Sequence, residues 1–174
     1  QDGAEVASRV ADVVLSDDNL ETMIAAIRQG RTIYGNTRNA IHFLLASNLA
    51  EIAVTSATVA LGTGRSLGPM QLLWINLVTD VFPVLALAVQ PPEADVMEQT
   101  PRDPNEPLVG RRDFKKMAFE SGTITAGTLL SYGWGMLRYG PGAQASTMAF
   151  NTLASAQFFQ MLCARSQTRG LFSA

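Results

Sequence analysis

The apolar residues of this chain are gathered into four long blocks that are separated by shorter polar segments. The blocks cover residues 41–61, 70–89, 117–137 and 146–164. A helix needs about 20 mostly apolar residues to cross the hydrocarbon core of a bilayer, and each block meets or approaches that length. The pattern therefore predicts a mainly α fold, a polytopic helical membrane bundle of about four spans, of which the fourth is the least hydrophobic.

The positive charges lie on one side of this predicted bundle. Of the 13 lysines and arginines, only Arg65 and Arg138 fall in the loops that follow the first and third blocks. Because cytoplasmic loops are enriched in lysine and arginine, the N-terminus and the proline-rich, extended loop at 90–116 are predicted to be cytoplasmic. The two outer loops are short and contain glycine and proline, as in tight helical hairpins. Helices buried in a large soluble protein would also explain the apolar blocks, but not this charge placement.

The residues before the first block predict the end of a soluble domain followed by a stalk. Residues 3–10 have a helical pattern, and residues 12–15 form a short apolar run that is typical of a buried strand. Asp18 and Glu21 then form a capping-box-like pair at the start of a helix. The predicted domains are the end of an α/β cytoplasmic domain that continues upstream (1–19), a stalk helix (20–40) and a transmembrane domain (41–174).

Two carboxylates lie near the middle of the predicted spans. Glu51 is at the centre of the first block, and Asp80 is at the centre of the second. A charged side chain at the bilayer centre costs at least about 2.5 to 3.5 kcal/mol, so such residues mark functional sites by default. No lysine or arginine occurs in any of the four blocks to neutralise them. Their partner must therefore be a proton, a bound cation or a residue of another segment.

Further oxygen-bearing side chains surround the two carboxylates at helical spacing. They are Asn48 and Thr55 on the first span, Asn76 and Thr79 on the second, and Gln157 at a similar depth on the fourth. Separations of three, four and seven residues place each set on one helix face. Pro83 cannot donate a hydrogen bond to the carbonyl of Thr79, and this freed carbonyl predicts an ion-lining turn like those of half-unwound helices.

The ligand atoms of the predicted site are all oxygens. Two carboxylates match a divalent charge, and calcium prefers about six to eight oxygen ligands, whereas copper and zinc favour sulfur or imidazole. Calcium is therefore the first expectation, and ligand type leaves manganese and sodium open. Two other interpretations remain, namely Glu51 and Asp80 as a proton relay, and Asn48 and Asn76 as side chains that hold helices together.

Several segments resemble a known family. Residues 48–51 read Asn-Leu-Ala-Glu, residues 73–83 read Leu-Trp-Ile-Asn-Leu-Val-Thr-Asp-Val-Phe-Pro, and residues 91–93 read Pro-Pro-Glu. Together they closely resemble the fifth and sixth membrane helices of P-type cation-transporting ATPases of the calcium-pump kind. Residues 5–19 resemble the end of that family's HAD-like phosphorylation domain, so the resemblance covers nearly the whole chain.

The resemblance implies a role for each candidate ligand. The implied metal-binding residues are Asn48, Glu51, Asn76, Thr79, Asp80 and Gln157. Asn76 matches a ligand of a neighbouring site, and Gln157 stands where some relatives have glutamate. One transported ion per cycle is therefore expected, and no catalytic residue is assigned to this chain.

The motifs with which the family handles ATP are absent from this sequence. It lacks the phosphorylated Asp-Lys-Thr-Gly-Thr, the dephosphorylation motif Thr-Gly-Glu and the magnesium-binding Gly-Asp-Gly. The chain alone is therefore not expected to hydrolyse ATP, and ATP and magnesium would act only through missing domains. The implied partners are the lipid bilayer, the nucleotide-binding, phosphorylation and actuator domains, and the remaining membrane helices, with no nucleic acid.

The sequence is thus expected to be part of an ATP-driven cation pump in the plasma membrane of a bacterium, with its N-terminus in the cytoplasm. It would be a fragment or one piece of a split pump. The alternatives are a proton-coupled or passive cation carrier, or a nonfunctional remnant of a pump gene.

Overall fold

The computed structural model describes residues 9–12, 14, 19–64, 66–92, 95–100 and 107–164. These residues form helices and turns, and no strand is found among them. The helices are α1 (Leu20–Ala60), α2 (Pro69–Trp74), a π-helical turn (Ile75–Asp80), α3 (Val81–Ala88), α4 (Arg111–Tyr139) and α5 (Ala143–Ala164). The predicted mainly α fold is confirmed for these residues. The predicted α/β domain end at 1–19 lies largely outside them and stays a prediction.

Helix α1 joins the predicted stalk to the first predicted span without a break. Its N-cap is Asn19, whose Oδ1 accepts a hydrogen bond from the N–H of Glu21 at 2.9 Å. The cap is therefore Asn19 and not the predicted Asp18, because Asn19 has the extended backbone and the acceptor that a cap requires. The helix runs through Gly30 and ends before Gly62, which has a φ of 66° and turns the chain back.

Two helices in the described part of the chain are long and apolar enough to cross a membrane. They are α1 and the continuous helix Pro69–Ala88, which α2, the π-helical turn and α3 form together. These helices contain the first two predicted spans. Helices α4 and α5 contain the third and fourth predicted blocks but are less apolar, because serine, threonine and glycine recur in them. That α4 and α5 also cross the membrane therefore stays a prediction.

Two apolar clusters form the interior of the bundle. The outer cluster, near the hairpin that follows α1, contains Ala50, Val54, Leu67, Ile75, Ile124, Tyr132, Ala145, Ala149 and Leu153. The inner cluster, near the loop that follows α3, contains Ala40, Phe43 and Leu87, with Leu44, Val84, Met161 and Ala164 packed against them. Helices α4 and α5 pack against each other, and α1 contacts both. A polar layer formed by α1, the π-helical turn and α5 lies between the two clusters.

Side chains of α1 anchor the loop that follows α3. Arg31 Nη1 donates hydrogen bonds to the carbonyls of Val96 and Gln99, at 3.0 and 2.8 Å. Asn36 Nδ2 donates to the carbonyls of Ala88 and Gln90 at the end of α3, at 3.2 and 2.9 Å. The N-terminal half of α1 therefore forms hydrogen bonds with both the end of α3 and the loop. The described loop residues 95–100 form turns and no helix.

Asp113 holds the start of α4 against α1. Its Oδ2 accepts hydrogen bonds from the N–H of Gly110 at 2.9 Å and from Nη2 of Arg38 at 2.8 Å. The Gly110 N–H, followed by the Arg38 guanidinium, lowers the pKa of Asp113 below its ordinary value. A carboxylate in the first turn of a helix also interacts favourably with the helix dipole. One side chain therefore caps α4 and links it to α1.

The close approach of α4 to α5 predicts a sharp difference between two glycines of α4. A Cβ at Gly135 would lie 2.9 Å from Cα of Ala145, whereas a Cβ at Gly133 would meet nothing within 4 Å. We expect Gly135→Ala to lower the free energy of unfolding by about 1 to 3 kcal/mol. The control Gly133→Ala should be neutral or slightly stabilising. Denaturation of the full chain in detergent, followed by circular dichroism, measures both, and equal effects would contradict the close contact.

The Asp113 cap predicts a dependence of stability on pH. Because the pKa of Asp113 in the folded chain lies below its ordinary value of 3.8, its stabilisation is complete above that value and is lost as the pH falls through the folded pKa. We expect Asp113→Asn to lower the free energy of unfolding at neutral pH by about 0.3 to 1 kcal/mol and to flatten the acid decline. Denaturation from neutral to acid pH tests this. Glu98→Gln, at an exposed loop position, should leave the decline unchanged.

Candidate cation site

Glu51 lies in the middle of α1 and has 6% of its surface exposed. Its Oε1 accepts a hydrogen bond from Nε2 of Gln157 on α5 at 2.9 Å. Its Oε2 accepts one from Nδ2 of Asn76 on the π-helical turn at 3.4 Å. Three elements that are distant in sequence therefore meet at one carboxylate, and the structure brings these three predicted ligands together.

Asp80 is the last residue of the π-helical turn and has 5% of its surface exposed. Its Oδ1 accepts a hydrogen bond from Oγ of Ser47 at 3.4 Å. Ser47 is fully buried and lies one turn before Glu51 on α1. Asp80 therefore contacts the same strip of α1 that carries Glu51. Ser47 is not among the predicted ligands, although its spacing of four residues from Glu51 is a signal in the sequence.

The two carboxylates lie in a polar layer between the two apolar clusters. Along α1, Glu51 is flanked by Phe43 of the inner cluster and Val54 of the outer one. Along α5, Gln157 is flanked in the same way by Met161 and Leu153. Apolar packing on both sides lowers the local dielectric and strengthens every charge interaction in the layer. Among the described residues, neither carboxylate pairs with a lysine or arginine.

The remaining predicted ligands differ in how they face this layer. Thr79 is fully buried, and its Oγ1 donates to the carbonyl of Ile75 at 2.7 Å. Gln157 is also fully buried, and its Oε1 has no hydrogen-bond partner within the described chain. Asn48 is half-buried, and its Nδ2 donates to the carbonyl of Leu44 on its own helix at 2.8 Å. Hydrogen bonds therefore join Glu51 to Asn76 and Gln157, whereas the described side-chain bonds of Asn48, Thr79 and Asp80 go to residues outside the predicted set.

The backbone beside Asp80 is widened and not unwound. Residues 75–80 form a π-helical turn, and Pro83 is a buried residue in the first turn of α3. The helix is therefore continuous here, unlike the half-unwound helices to which the sequence pattern is compared, and the freed carbonyl of Thr79 stays a prediction. Pro83 has no N–H to donate to the carbonyl of Thr79, and the π-helical turn lies shortly before it in the same continuous helix. Turns of this kind are frequent at functional sites, and this one places both Thr79 and Asp80 in the interior.

The donor atoms of the layer suit a hard cation. In the described part of the chain, no three histidine, cysteine, aspartate or glutamate side chains are grouped closely enough to hold a metal. The available donors are therefore two carboxylates with amide, hydroxyl and carbonyl oxygens, which favour calcium-like ions over zinc or copper. The unpartnered Oε1 of Gln157 is an orphaned buried acceptor next to Glu51. A cation in the layer would satisfy it.

Comparison with known proteins bears directly on this arrangement. Residues 66–174 match the protein family described as cation transporting ATPase, C-terminus. This match covers α2 through α5 and more than half of the chain. The chain belongs to the cation-transporting ATPase family. The predicted family resemblance is therefore confirmed.

Individual members of the ATPase family extend the match over nearly the whole chain. The chain is 40% identical over 163 residues to the endoplasmic reticulum calcium ATPase srcA of Aspergillus fumigatus, which covers 92% of this chain and 17% of that protein. It is 40% identical over 170 residues to a calcium-transporting ATPase of Bacillus subtilis, which covers 95% of this chain and 19% of that protein. The chain therefore spans less than a fifth of the length of either ATPase.

The π-helical turn predicts a specific effect of substituting Pro83. Pro83→Ala restores an N–H that can bond to the carbonyl of Thr79, so we expect the turn to tighten into regular α-helix. The free energy of unfolding should rise by about 1 to 3 kcal/mol, and Asp80 should move away from Ser47. Amide hydrogen exchange over residues 75–84 measures the change in pairing.

Pro69→Ala is the matched control for this substitution. Pro69 is the first residue of α2, where an N–H has no partner within the helix. Its replacement should leave exchange at residues 75–84 unaltered. Retention of the π-helical turn in Pro83→Ala would show that tertiary contacts, and not the proline, create it.

Proposed function

We propose that this chain is the cation-binding membrane part of an ATP-driven P-type pump and that its cargo is a divalent cation of the calcium kind. The observation that carries the proposal is the pair of buried carboxylates, Glu51 and Asp80, in one polar layer without a basic partner among the described residues. The two named relatives are calcium ATPases, which supports the same cargo.

Charge and coordination come from different members of the proposed ligand set. Glu51 and Asp80 supply two negative charges, which a calcium or manganese ion balances and a single sodium ion does not. Neutral oxygens come from Asn48, Asn76, Thr79 and Gln157. The amides of Asn48 and Asn76 now donate to carbonyls of their own helices at 2.8 Å. Both side-chain amides must rotate to direct their oxygen toward a cation. Cation binding would therefore replace their hydrogen bonds to the helix backbone with contacts to the ion.

Gln157 supports transport of one ion per cycle. Its amide is neutral, so the layer contains two carboxylates and no third acid from α5. A second divalent ion in the same low-dielectric layer would leave two positive charges uncompensated. One bound ion therefore matches the charge that the layer supplies.

The coupling to ATP would pass through α1. In the proposed pump, residues 1–19 end a cytoplasmic phosphorylation domain, residues 20–40 are a stalk, and residues 41–174 form the transport domain. Phosphorylation in the missing part would displace α1, and the hydrogen bonds of Arg31 and Asn36 would carry the movement to the end of α3. Because α3 continues the helix that carries Asp80, both sides of the site respond to the stalk. Four membrane crossings with a cytoplasmic N-terminus, in a bacterial plasma membrane, complete the proposal.

A proton-coupled or passive carrier is less well supported. The same two carboxylates could relay protons, but both named relatives are ATPases. The two functions differ in their upstream sequence, since a pump requires Asp-Lys-Thr-Gly-Thr and a nucleotide-binding domain before this segment. A chain that moves cations without any such partner would support the carrier.

The proposed function predicts the effect of neutralising either carboxylate in an intact pump that contains this segment. Glu51→Gln or Asp80→Asn removes one of two charges that balance the ion, so the apparent cation affinity should fall on the order of 100-fold. Cation-stimulated ATP hydrolysis by the reconstituted pump is the measurement, with calcium, manganese, magnesium and sodium compared. Calcium or manganese should stimulate most.

Glu98→Gln is the control for charge loss outside the membrane, because Glu98 is an exposed residue of the loop that follows α3. It should leave the cation dependence unchanged. Unchanged stimulation in both Glu51→Gln and Asp80→Asn would remove the site assignment. Cation uptake that continues without ATP would instead favour a carrier.

A further inference from the structure

A cavity with a mixed polar and apolar lining lies apart from the cation site, between α1, α4 and α5. Its volume is about 520 Å³, and it is lined by His42 of α1, by the segment of α4 from Lys116 to Ile124, and by the last two turns of α5. These residues stand at the cytoplasmic ends of three predicted spans, the first, third and fourth. The cavity is therefore at the depth where lipid headgroups meet a membrane protein.

The inner wall of this cavity offers hydrogen-bond acceptors. Glu120 Oε2 accepts Nε2 of Gln160 at 3.0 Å and lies 3.8 Å from Nδ1 of His42. In the neutral tautomer that has its proton on Nδ1, Nε2 of His42 is an acceptor. Nε2 of His42 and Oε1 of Gln160 are both buried and have no partner in the described residues. His42 Nε2, Gln160 Oε1 and the Glu120 carboxylate could therefore accept hydrogen bonds from a ligand with several N–H donors.

Cationic side chains stand beside these acceptors. Lys116 is half-exposed, and its Nζ lies 4.0 Å from Oε1 of Glu120. Arg112 is one turn earlier on the same face of α4 and has no ion pair within the described chain. Positive groups and acceptors therefore lie side by side at one depth, which matches a guest carrying both a negative and a positive group.

The wall that faces away from the polar groups is apolar. Phe119 of α4 is 77% exposed and Phe159 of α5 is 70% exposed, and both line the cavity. Exposed aromatic side chains next to a charged rim favour contact with acyl chains below a headgroup. The cavity thus has charged groups of both signs on one wall and exposed aromatic side chains on the wall that faces the bilayer.

We infer that this cavity binds the headgroup of an aminophospholipid of the cytoplasmic leaflet. The primary ammonium donates to Glu120, Gln160 Oε1 and His42 Nε2, and the phosphate lies against Lys116 and Arg112. Basic pockets between membrane helices on the cytoplasmic side are established sites for phospholipid headgroups. A choline headgroup has no N–H to donate, and a purely anionic headgroup would be repelled by Glu120. The inference does not depend on which cation the chain binds.

Cys163 provides a direct reporter for this site. It is the single cysteine of the sequence, its side chain is exposed, and it lines the cavity. The full chain is reconstituted in phosphatidylcholine nanodiscs with increasing phosphatidylethanolamine or phosphatidylglycerol, and the rate of Cys163 alkylation by a maleimide is measured. We expect phosphatidylethanolamine to slow alkylation severalfold and the other two lipids to leave it unchanged.

Substitutions on two faces of α4 distinguish a headgroup bound in the cavity from a general attraction of lipids to positive charge. Arg112→Gln with Lys116→Gln removes the cavity-lining cation and the cation one turn before it on the same face of α4, and should weaken the protection by about fivefold for each cation. The matched control, Arg111→Gln with Lys115→Gln, removes the same charge at the same depth on another face and should retain it. Glu120→Gln removes the charged acceptor and should abolish the preference for the primary amine.

Three results would overturn the inference. Equal protection by phosphatidylethanolamine and phosphatidylcholine would show that the N–H donors are not recognised. Stronger protection by phosphatidylglycerol would assign the effect to negative charge alone. No protection by any lipid would mean that the cavity holds water or is covered by another segment of a longer protein.

Discussion

The rest of the structure depends on the cost of keeping two carboxylates out of water. Glu51 and Asp80 are each almost completely buried, and the groups that bond to them are neutral amides and a hydroxyl. Such groups stabilise a buried charge only in part. The negative charge of the layer is therefore not fully balanced as long as both carboxylic acids are ionised. In the proposed pump a divalent cation would remove this imbalance, whereas an apolar or anionic guest would not.

The packing around the layer keeps this imbalance in place. The outer cluster seals one side with residues from α1, α4, α5 and the helix that contains Ile75, and the inner cluster seals the other side. The contact at Gly135 fixes α4 against α5, and the Asp113 bridge fixes α4 against α1. Carboxylates in a more loosely packed bundle would be hydrated by water instead of being held in an apolar surrounding. Burial of the two carboxylates therefore depends on the packing of the helices around them.

Sequence reasoning succeeded where a property is local or periodic. Helix positions and the burial of Glu51 and Asp80 follow from block length and depth, which a linear sequence contains. It failed where a tertiary contact decides the outcome. The bond from Ser47 to Asp80 depends on how two helices pack. The bond of Asn48 to Leu44 and the π-helical form of residues 75–80 lie within single helices, and residue spacing alone did not indicate them. The roles of the six candidate ligands still rest on their chemistry and their placement.

The continuity of α1 constrains how an ion could leave. Ser47 and Glu51 are one turn apart on a single unbroken helix of 41 residues, so they rotate and slide as one body. Through Ser47 this body also contacts Asp80 on the opposite helix. A shift of α1 therefore disturbs both acids in the same step, and the helix has no joint that would release them in sequence. In the proposed pump, both acids would therefore lose contact with the ion in the same step.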